Sequence, residues 1–329
     1  MYTTSSNILI EGLRNRITFD YVNHVRVDSS VSRLTDTAMV TLPRKLSWNR
    51  EQLFNLLSRG DKITVQLGYN GQLNTVFKGY IHRLHMGTPL VLECQDEMWK
   101  LKRKKLADRR WNSVMLSELL DYILPADTEK RISDLNLGEV IIENEPTTAQ
   151  VLDFLRSTYT LSVFFRDDVL YAVLPSFLLG QDTGFERIVF NKYYNVVYGS
   201  DHLKFAREDE ITVAVIAKTI TRDNLALEWR EPEIPQPGEE IKTFYCPWSQ
   251  DLNSLKQFAR EKLRTFKIDN MMGNFTAFGI PFTRKGDIVK YLDPEWPDRN
   301  GMSFSVQSVI YDFGLTGYRQ TIQLGGRVS

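Results

Sequence analysis

The sequence predicts a mainly β protein with an α+β insert: two antiparallel β-barrels, a small α+β unit between them, and helices. Three observations predict it. Short alternating strands fill 8–95 and return after 191. A helix-rich stretch, 106–190, separates them. A basic-Gly-Asp turn occurs in each β region, Arg59-Gly60-Asp61 and Lys285-Gly286-Asp287, and each leads into a strand. The expected domains are 1–105, 106–190 and 191–329, the last carrying an inserted helix at about 250–266. A chain of 329 residues exceeds the roughly 250–300 at which one core stops growing.

In chain order, ILIEGL, ITFDYV and TAMVTLP are rich in β-branched and aromatic residues and read as strands. Asn49 and Glu51 then open a helix over 49–57, with Leu53, Phe54, Leu56 and Leu57 on one face and Gly60 as its stop. KITVQLGY alternates, and Asn70-Gly71 suits a two-residue hairpin whose central positions both need positive φ. NTVFKGYIHRL and PLVLECQ complete the first β region. SVMLSELLDYIL (113–124) has helical periodicity. Thr147-Thr148-Ala149-Gln150 fits a capping box that opens a second helix. LSVFFRDDVLYAVLP (161–175) reads as a hairpin turning at Asp167-Asp168. ITVAVIAKTI and LALEWR return to strands, EPEIPQPGEE (231–240) is a solvated acidic loop, and a helix follows at 250–266. The remaining strands are NFTAFGIP, DIVKYL, MSFSVQSVIYDFG and YRQTIQLGG.

The two β regions share a plan: strands, a helix, a basic-Gly-Asp turn, then a hairpin whose second strand is long. This is an internal repeat of pattern more than identity. It bears on Arg59-Gly60-Asp61, which as a word suggests an adhesion ligand. Gly offers a permissive backbone and Asp bonds local amides, so the repeat favours a structural turn.

Lys+Arg and Asp+Glu both number 41, so no net field draws the whole chain to nucleic acid or anionic lipid. No signal peptide is evident at the N-terminus, and no apolar stretch approaches the ~20 residues of a membrane helix. Cys94 and Cys246 are isolated, so neither a disulfide framework nor CxxC is expected, and a reduced cytoplasmic setting fits. The histidines are His24, His82, His85 and His202. The odd spacing of His82 and His85 puts them on opposite strand faces, against a shared metal ion. HExxH, GxSxG and the P-loop pattern are absent. Asp167 and Asp168 diverge as hairpin neighbours rather than forming an acid pair. Glu143 and Glu145 read as solvated. No catalytic, cofactor or metal residue is expected. The dense positive run holding Lys100, Lys102, Arg103, Lys104 and Lys105 reads as a solvated face, or as an interface with the acidic loop bearing Glu231, Glu233, Glu239 and Glu240, before it reads as a DNA contact.

The order of motifs resembles the late control D family of phage baseplate hub proteins, whose hub region is also similar to type VI secretion spikes. The residues that carry the resemblance are Gly68-Tyr69-Asn70-Gly71, Phe77-Lys78-Gly79-Tyr80-Ile81, and Asp96 with Leu101. They continue with Gly279, Pro281, Gly286 and Asp287, and with Val306, Val309, Tyr311, Phe313, Gly317, Tyr318, Ile322, Leu324 and Gly325. Each motif is weak alone; their order spans most of the chain. With Gly60 and Asp61, these turn glycines form the expected structural signature. The resemblance implies tail-tube-like barrels and a trimeric ring with pseudo-sixfold symmetry. That ring would join a tail tube to a spike, nucleate tube assembly and contact other baseplate proteins, with DNA only in transit. The chain ends at Ser329, so the spike is expected on a separate polypeptide. Assembly is expected in a host cytoplasm, followed by residence in the baseplate of a virion or injection system. The other readings are a tail-tip cell-wall hydrolase and an RGD adhesion module.

Overall fold

The computed structural model describes residues 2–13, 15–43, 56–85, 87–180, 184–203, 212–246, 248–249, 251–270, 273–295, 297, 300 and 302–328. The helix expected at 49–57 lies, apart from Leu56 and Leu57, outside the described residues. Leu57 is buried in the core.

The fold is mainly β, built on large antiparallel sheets with few helices. Seven strands come from the first β region: β1 (Thr4–Glu11), β2 (Arg16–Phe19), β3 (His24–Ser30), β4 (Thr37–Thr41), β5 (Lys62–Tyr69), β6 (Gln72–His85) and β7 (Val91–Gln95). Alternation sets their faces: on β5, Ile63, Val65 and Leu67 are fully buried while the residues between them are not. Burying each such side chain contributes about 1.5–3 kcal/mol. The hairpin joining β5 to β6 turns at Asn70 (φ 52°) and Gly71 (φ 80°), the left-handed pair expected.

After β7 comes α1 (Met98–Leu101), whose Met98 and Leu101 pack into the core of the insert. The insert contains β8 (Arg109–Trp111), α2 (Leu116–Ile123), β9 (Lys130–Ile132), β10 (Val140–Ile142), α3 (Thr148–Tyr159), β11 (Ser162–Arg166), β12 (Val169–Val173) and α4 (Pro175–Leu178). The capping box at α3 is present. Gln150 N–H donates to the Thr147 hydroxyl, and the Gln150 side chain reaches back to Thr147 N–H. The β11–β12 hairpin turns at Asp167 (φ 51°) and Asp168 (φ 67°). The insert has its own core around Leu116, Leu119, Leu152, Leu155 and Val163.

The last part contributes β13 (Arg187–Asn191), β14 (His202–Leu203), β15 (Val213–Ile220), β16 (Ala226–Glu231), β17 (Glu240–Tyr245), α5 (Leu252–Asn270), β18 (Gly273–Phe278), β19 (Ile288–Leu292), β20 (Ser303–Gly314) and β21 (Gly317–Arg327). Strands β15 to β17 form a sheet of their own, order β16-β15-β17. They pack beneath α5 through Val215, Ala217, Leu255, Phe258 and Ala259.

Two pairings depart from the sequence reading. Strand β13 joins β19 in parallel, in an otherwise antiparallel sheet. The long stretch between them supplies the crossover that a parallel pair requires. The two β regions also join edge to edge: β3 pairs with β20 from Ser30↔Ser308 to Val25↔Phe313, giving one thirteen-stranded sheet. A single apolar core runs through both, holding Ile8, Val25 and Ile63 with Phe275, Val309 and Ile322. A short hydrogen bond from the Tyr69 hydroxyl to Tyr318 O (2.6 Å) ties the regions at a second point.

Candidate functional site

The two basic-Gly-Asp turns have the same geometry. In the first, Gly60 has φ +97°, Ser58 N–H donates to Asp61 Oδ2 at 2.7 Å, and Asp61 N–H donates to Ser58 O at 3.2 Å. Gly60 N–H donates to Ile81 O at 2.8 Å, and Ile81 N–H donates to Asp61 O at 3.0 Å. In the second, Gly286 has φ +85°, and Arg284 N–H donates to Asp287 Oδ2 at 2.7 Å. Asp287 N–H donates to Arg284 O at 3.1 Å, Gly286 N–H to Val306 O at 2.8 Å, and Val306 N–H to Asp287 O at 2.7 Å. The long return strands are irregular at the same place, between Ile81 and Arg83 in β6 and between Val306 and Ser308 in β20. The left-handed backbone requires glycine, and the carboxylate bonds the amide three residues back. Asp61 is 8% exposed and committed to Ser58. Its carboxylate is thus not displayed as an adhesion ligand needs.

The second turn also builds a junction. Lys285 (3% exposed) reaches the first β region, where its Nζ lies 2.6 Å from Asp36 Oδ2. Asp36 further accepts from Ser29 Oγ and Ser30 N–H, and its own N–H donates to Asp96 Oδ2 at 2.9 Å. From the insert, Arg166 Nη2 donates to Asp287 Oδ1 at 2.6 Å and Nη1 donates to Lys285 O at 2.7 Å. Phe185 lies against the Arg166 guanidinium. At the hairpin tip the two aspartates part company: Asp167 pairs with Arg284 and Asp168 with Lys78, each at 2.6 Å. The insert is therefore ion-paired to both β regions around a cavity of about 80 Å³.

Burial raises the Asp287 pKa against the opposing pull of Arg166. Asp96 is raised more clearly, first by burial and then by the Asp36 charge. An acid whose folded pKa lies above its unfolded value binds protons preferentially in the folded state. Its contribution to stability is therefore full below the unfolded pKa of about 3.9 and is lost as pH rises through the folded value. We expect urea unfolding of the wild type to show this loss between pH 4 and neutrality. In Asp96→Asn that part of the slope should vanish, whatever the variant's baseline stability. An unchanged slope would place the titration elsewhere.

The other signature glycines divide by cause. A Cβ on Gly68 would lie 1.8 Å from Gln72 O, on Gly79 2.1 Å from Gln95 O, and on Gly279 1.9 Å from Tyr318 Cδ1. Gly325 packs against Ser305, whereas Gly317 needs its φ of +95°. The charged candidates find partners near at hand. Lys100 pairs with Glu97 and Lys105 with Glu145; Lys102 donates to the Gln95 side chain, Arg103 to Trp99 O and Lys104 to Ile123 O. In the acidic loop, Glu231 pairs with Arg260, Glu239 with Arg230 and Glu240 with Lys242, while Glu233 is exposed. Among the described residues, these ion pairs and hydrogen bonds do not join the basic run to the acidic loop.

The histidines do not converge. His24 meets Asp312 and His85 meets Glu93, the His82 Nδ1 is buried without a partner, and His202 is exposed on β14. Among the described residues, no three His, Cys, Asp or Glu side chains group as metal ligands. No described helix is long and apolar enough to cross a membrane. A larger concavity, about 660 Å³, opens where the ends of the two β regions meet and is lined by Tyr2, Tyr69, Tyr194, Phe278 and Ile280. Arg319 is its one charged lining residue among those described.

Sequence reasoning singled out both turns but not Asp36, Asp96 or Arg166 as their partners. The one available signal was a charge, Arg166, set among the apolar residues of VFFR.

No family model matches the chain, and no curated protein sequence does. Solved structures do. The tail protein from Neisseria meningitidis MC58 is similar at TM-score 0.68 and 14% identity, over 99% of this chain and 97% of that one. The 43 kDa tail protein of prophage MuSo2 from Shewanella oneidensis gives 0.68 and 11%, over 98% of each chain. An E. coli component of the type VI secretion system, itself described as structurally similar to the T4 bacteriophage tail proteins gp27 and gp5, gives 0.58 and 9%, over 96% of this chain and 76% of that one. At these identities the likeness establishes the fold, which this chain shares with phage tail proteins and with a component of type VI secretion.

Proposed function

We propose that the chain is a structural hub of a tail baseplate or of a related injection system, in the manner of the late control D family. In this reading three copies form a ring that joins a tail tube to a central spike, contacts other baseplate proteins and nucleates the tube. The observation that carries the proposal is the duplicated turn. One chain holds two lobes with the same strand order, β3-β4-β7-β6-β5-β1 and β14-β18-β21-β20-β19-β13, entered by the same hydrogen-bonded turn. Three such chains present six similar lobes, which suits a junction between sixfold and threefold partners. The likeness in fold to tail proteins supports the same role.

The role is structural, not enzymatic. The carboxylates at the junction are held by Lys285, Arg166, Arg284 and Lys78 rather than left to act on a substrate. Native mass spectrometry and particle averaging test the proposal. The expected result is a three-copy ring, formed alone or with tube and spike proteins. A chain that stays monomeric with both partners present would sink it. Clearing of peptidoglycan in a zymogram would favour the hydrolase reading instead.

A further inference from the structure

The concavity where the ends of the two β regions meet has a chemistry of its own. It measures about 660 Å³ and draws its lining from five stretches of chain, at 2–4, 69, 194–195, 278–281 and 316–319. A pocket of this size takes a drug-sized ligand, which is a few residues of peptide rather than a folded surface. Tyr69 within it is buried, whereas Tyr2 and Tyr194 are 70% and 82% exposed. Leu315, beside Thr316 in the β20–β21 turn, is fully exposed as well. Single exposed apolar residues are ordinary; several gathered around one concavity mark a binding surface.

Its charge is equally distinctive. Arg319 is half-buried, and its guanidinium lies over the Phe278 ring, 4.6 Å from the centroid. Nη1 donates to Tyr318 O at 3.0 Å, which leaves most of the five guanidinium N–H donors without a partner among the described residues. The acid opposite Arg319 in the β20–β21 ladder is Asp312, but that carboxylate meets His24 Nε2 at 3.2 Å. Among the described residues, Arg319 has no ion-pair partner. The nearby polar groups are committed elsewhere: the Tyr69 hydroxyl donates to Tyr318 O, and the Asn195 side chain accepts from Asn191 N–H. The concavity thus offers apolar rings and one unneutralised guanidinium.

We infer that this concavity binds the carboxyl-terminal end of a polypeptide whose last side chain is apolar or aromatic. The terminal carboxylate bonds Arg319, and the last side chain packs among Tyr69, Phe278 and Ile280. A guanidinium matches the two oxygens of a carboxylate, and the ring behind it fixes its plane. A chain end suits the site better than an acidic side chain. At a terminus the carboxylate and the last side chain diverge from one Cα, as the guanidinium and the rings adjoin here. An internal acid would instead bring a continuing chain on both sides. Capture of a terminal carboxylate is a recurring mode of peptide recognition. The site lies within one chain and so does not depend on ring formation.

Isothermal titration calorimetry on the full chain tests this with three probes: acetyl-Gly-Leu-Phe as the free acid, the same peptide as its amide, and acetyl-Leu-Glu-Phe amide. The expected result is binding of the free acid, with both amides about tenfold or more weaker, the loss of a hydrogen bond to a charged group. Arg319→Gln should abolish the difference between acid and amide while the melting temperature stays near that of the wild type. Tyr194→Ala, at an exposed position, should weaken the free acid without disturbing the fold, and it carries the test if Arg319→Gln does not fold. No binding of the free acid at millimolar concentration, equal binding of acid and amide, or discrimination that survives in Arg319→Gln would each overturn the inference. Binding of the glutamate peptide as tightly as the free acid would overturn the assignment to a chain end. None of these outcomes bears on the three-copy ring, which is tested separately.

Discussion

Arg166→Ala is expected to lower the free energy of unfolding by about 3–5 kcal/mol, because it takes the ion partner from a buried carboxyl that burial already pushes toward its neutral form. Asp287 is fully buried and Arg166 is 8% exposed, so water cannot take over for the missing guanidinium. The loss includes the bond to Lys285 O and the contact with Phe185. Urea denaturation measures it, and a double-mutant cycle with Asp287→Ala separates the pair from its surroundings. A strong favourable coupling between the two sites is expected. Additive single losses would mean that the two side chains act independently. Asp61→Ala gives the contrast: Asp61 holds the matching turn, but among the described residues its carboxylate meets the Ser58 amide and no cation from a second unit. Its loss is expected to be the smaller, about 1–3 kcal/mol for an unmet buried donor.

Gly79→Ala is the second large effect. The added methyl would sit 2.1 Å from Gln95 O and 2.8 Å from the Phe77 ring. The carbonyl belongs to the backbone of β7, paired with β6 at Tyr80↔Gln95, so relief requires the strands to part. Overpacking of this kind costs about 1–3 kcal/mol or more. Gly71→Ala provides the contrast. Nothing lies within 4 Å of its Cβ, and only its φ of +80° opposes substitution, at about 1 kcal/mol. Thermal unfolding of the two variants should rank Gly79→Ala well below Gly71→Ala. Equal melting temperatures would contradict the close approach.

Features legible in the sequence were those set by a few adjacent residues. Asn70-Gly71 and Asp167-Asp168 announced their turns, and Thr147 with Gln150 announced its cap. The two Gly-Asp turns were visible because the same local chemistry occurs twice. What escaped notice depends on residues far apart in the chain. The junction draws Asp36, Asp96, Arg166 and Lys285 from four separate stretches of the chain, and no spacing rule links them. The parallel pairing of β13 with β19 and the β3–β20 seam are likewise choices among strand edges, and alternation fixes the face of a strand rather than its neighbour. The small sheet under α5 stands apart from the large one, and alternation alone does not separate its strands from those of the second β region. The charged run at 100–105 was noticed for its density, yet most of its members meet partners within a few residues or on the adjoining insert.

The hairpin tip of the insert has a mechanical consequence. Arg166 and Asp167 grip one lobe while Asp168 grips the other, and all three sit on a single tight turn. Rotation of one lobe against the other would have to break these grips together, so the pair should behave as a stiff body rather than a hinge. The grips also differ in their response to salt. Asp167 and Asp168 are largely exposed, and ionic strength screens them. The buried Arg166–Asp287 pair is shielded from that screening, so the stiffness should persist where surface pairs have faded.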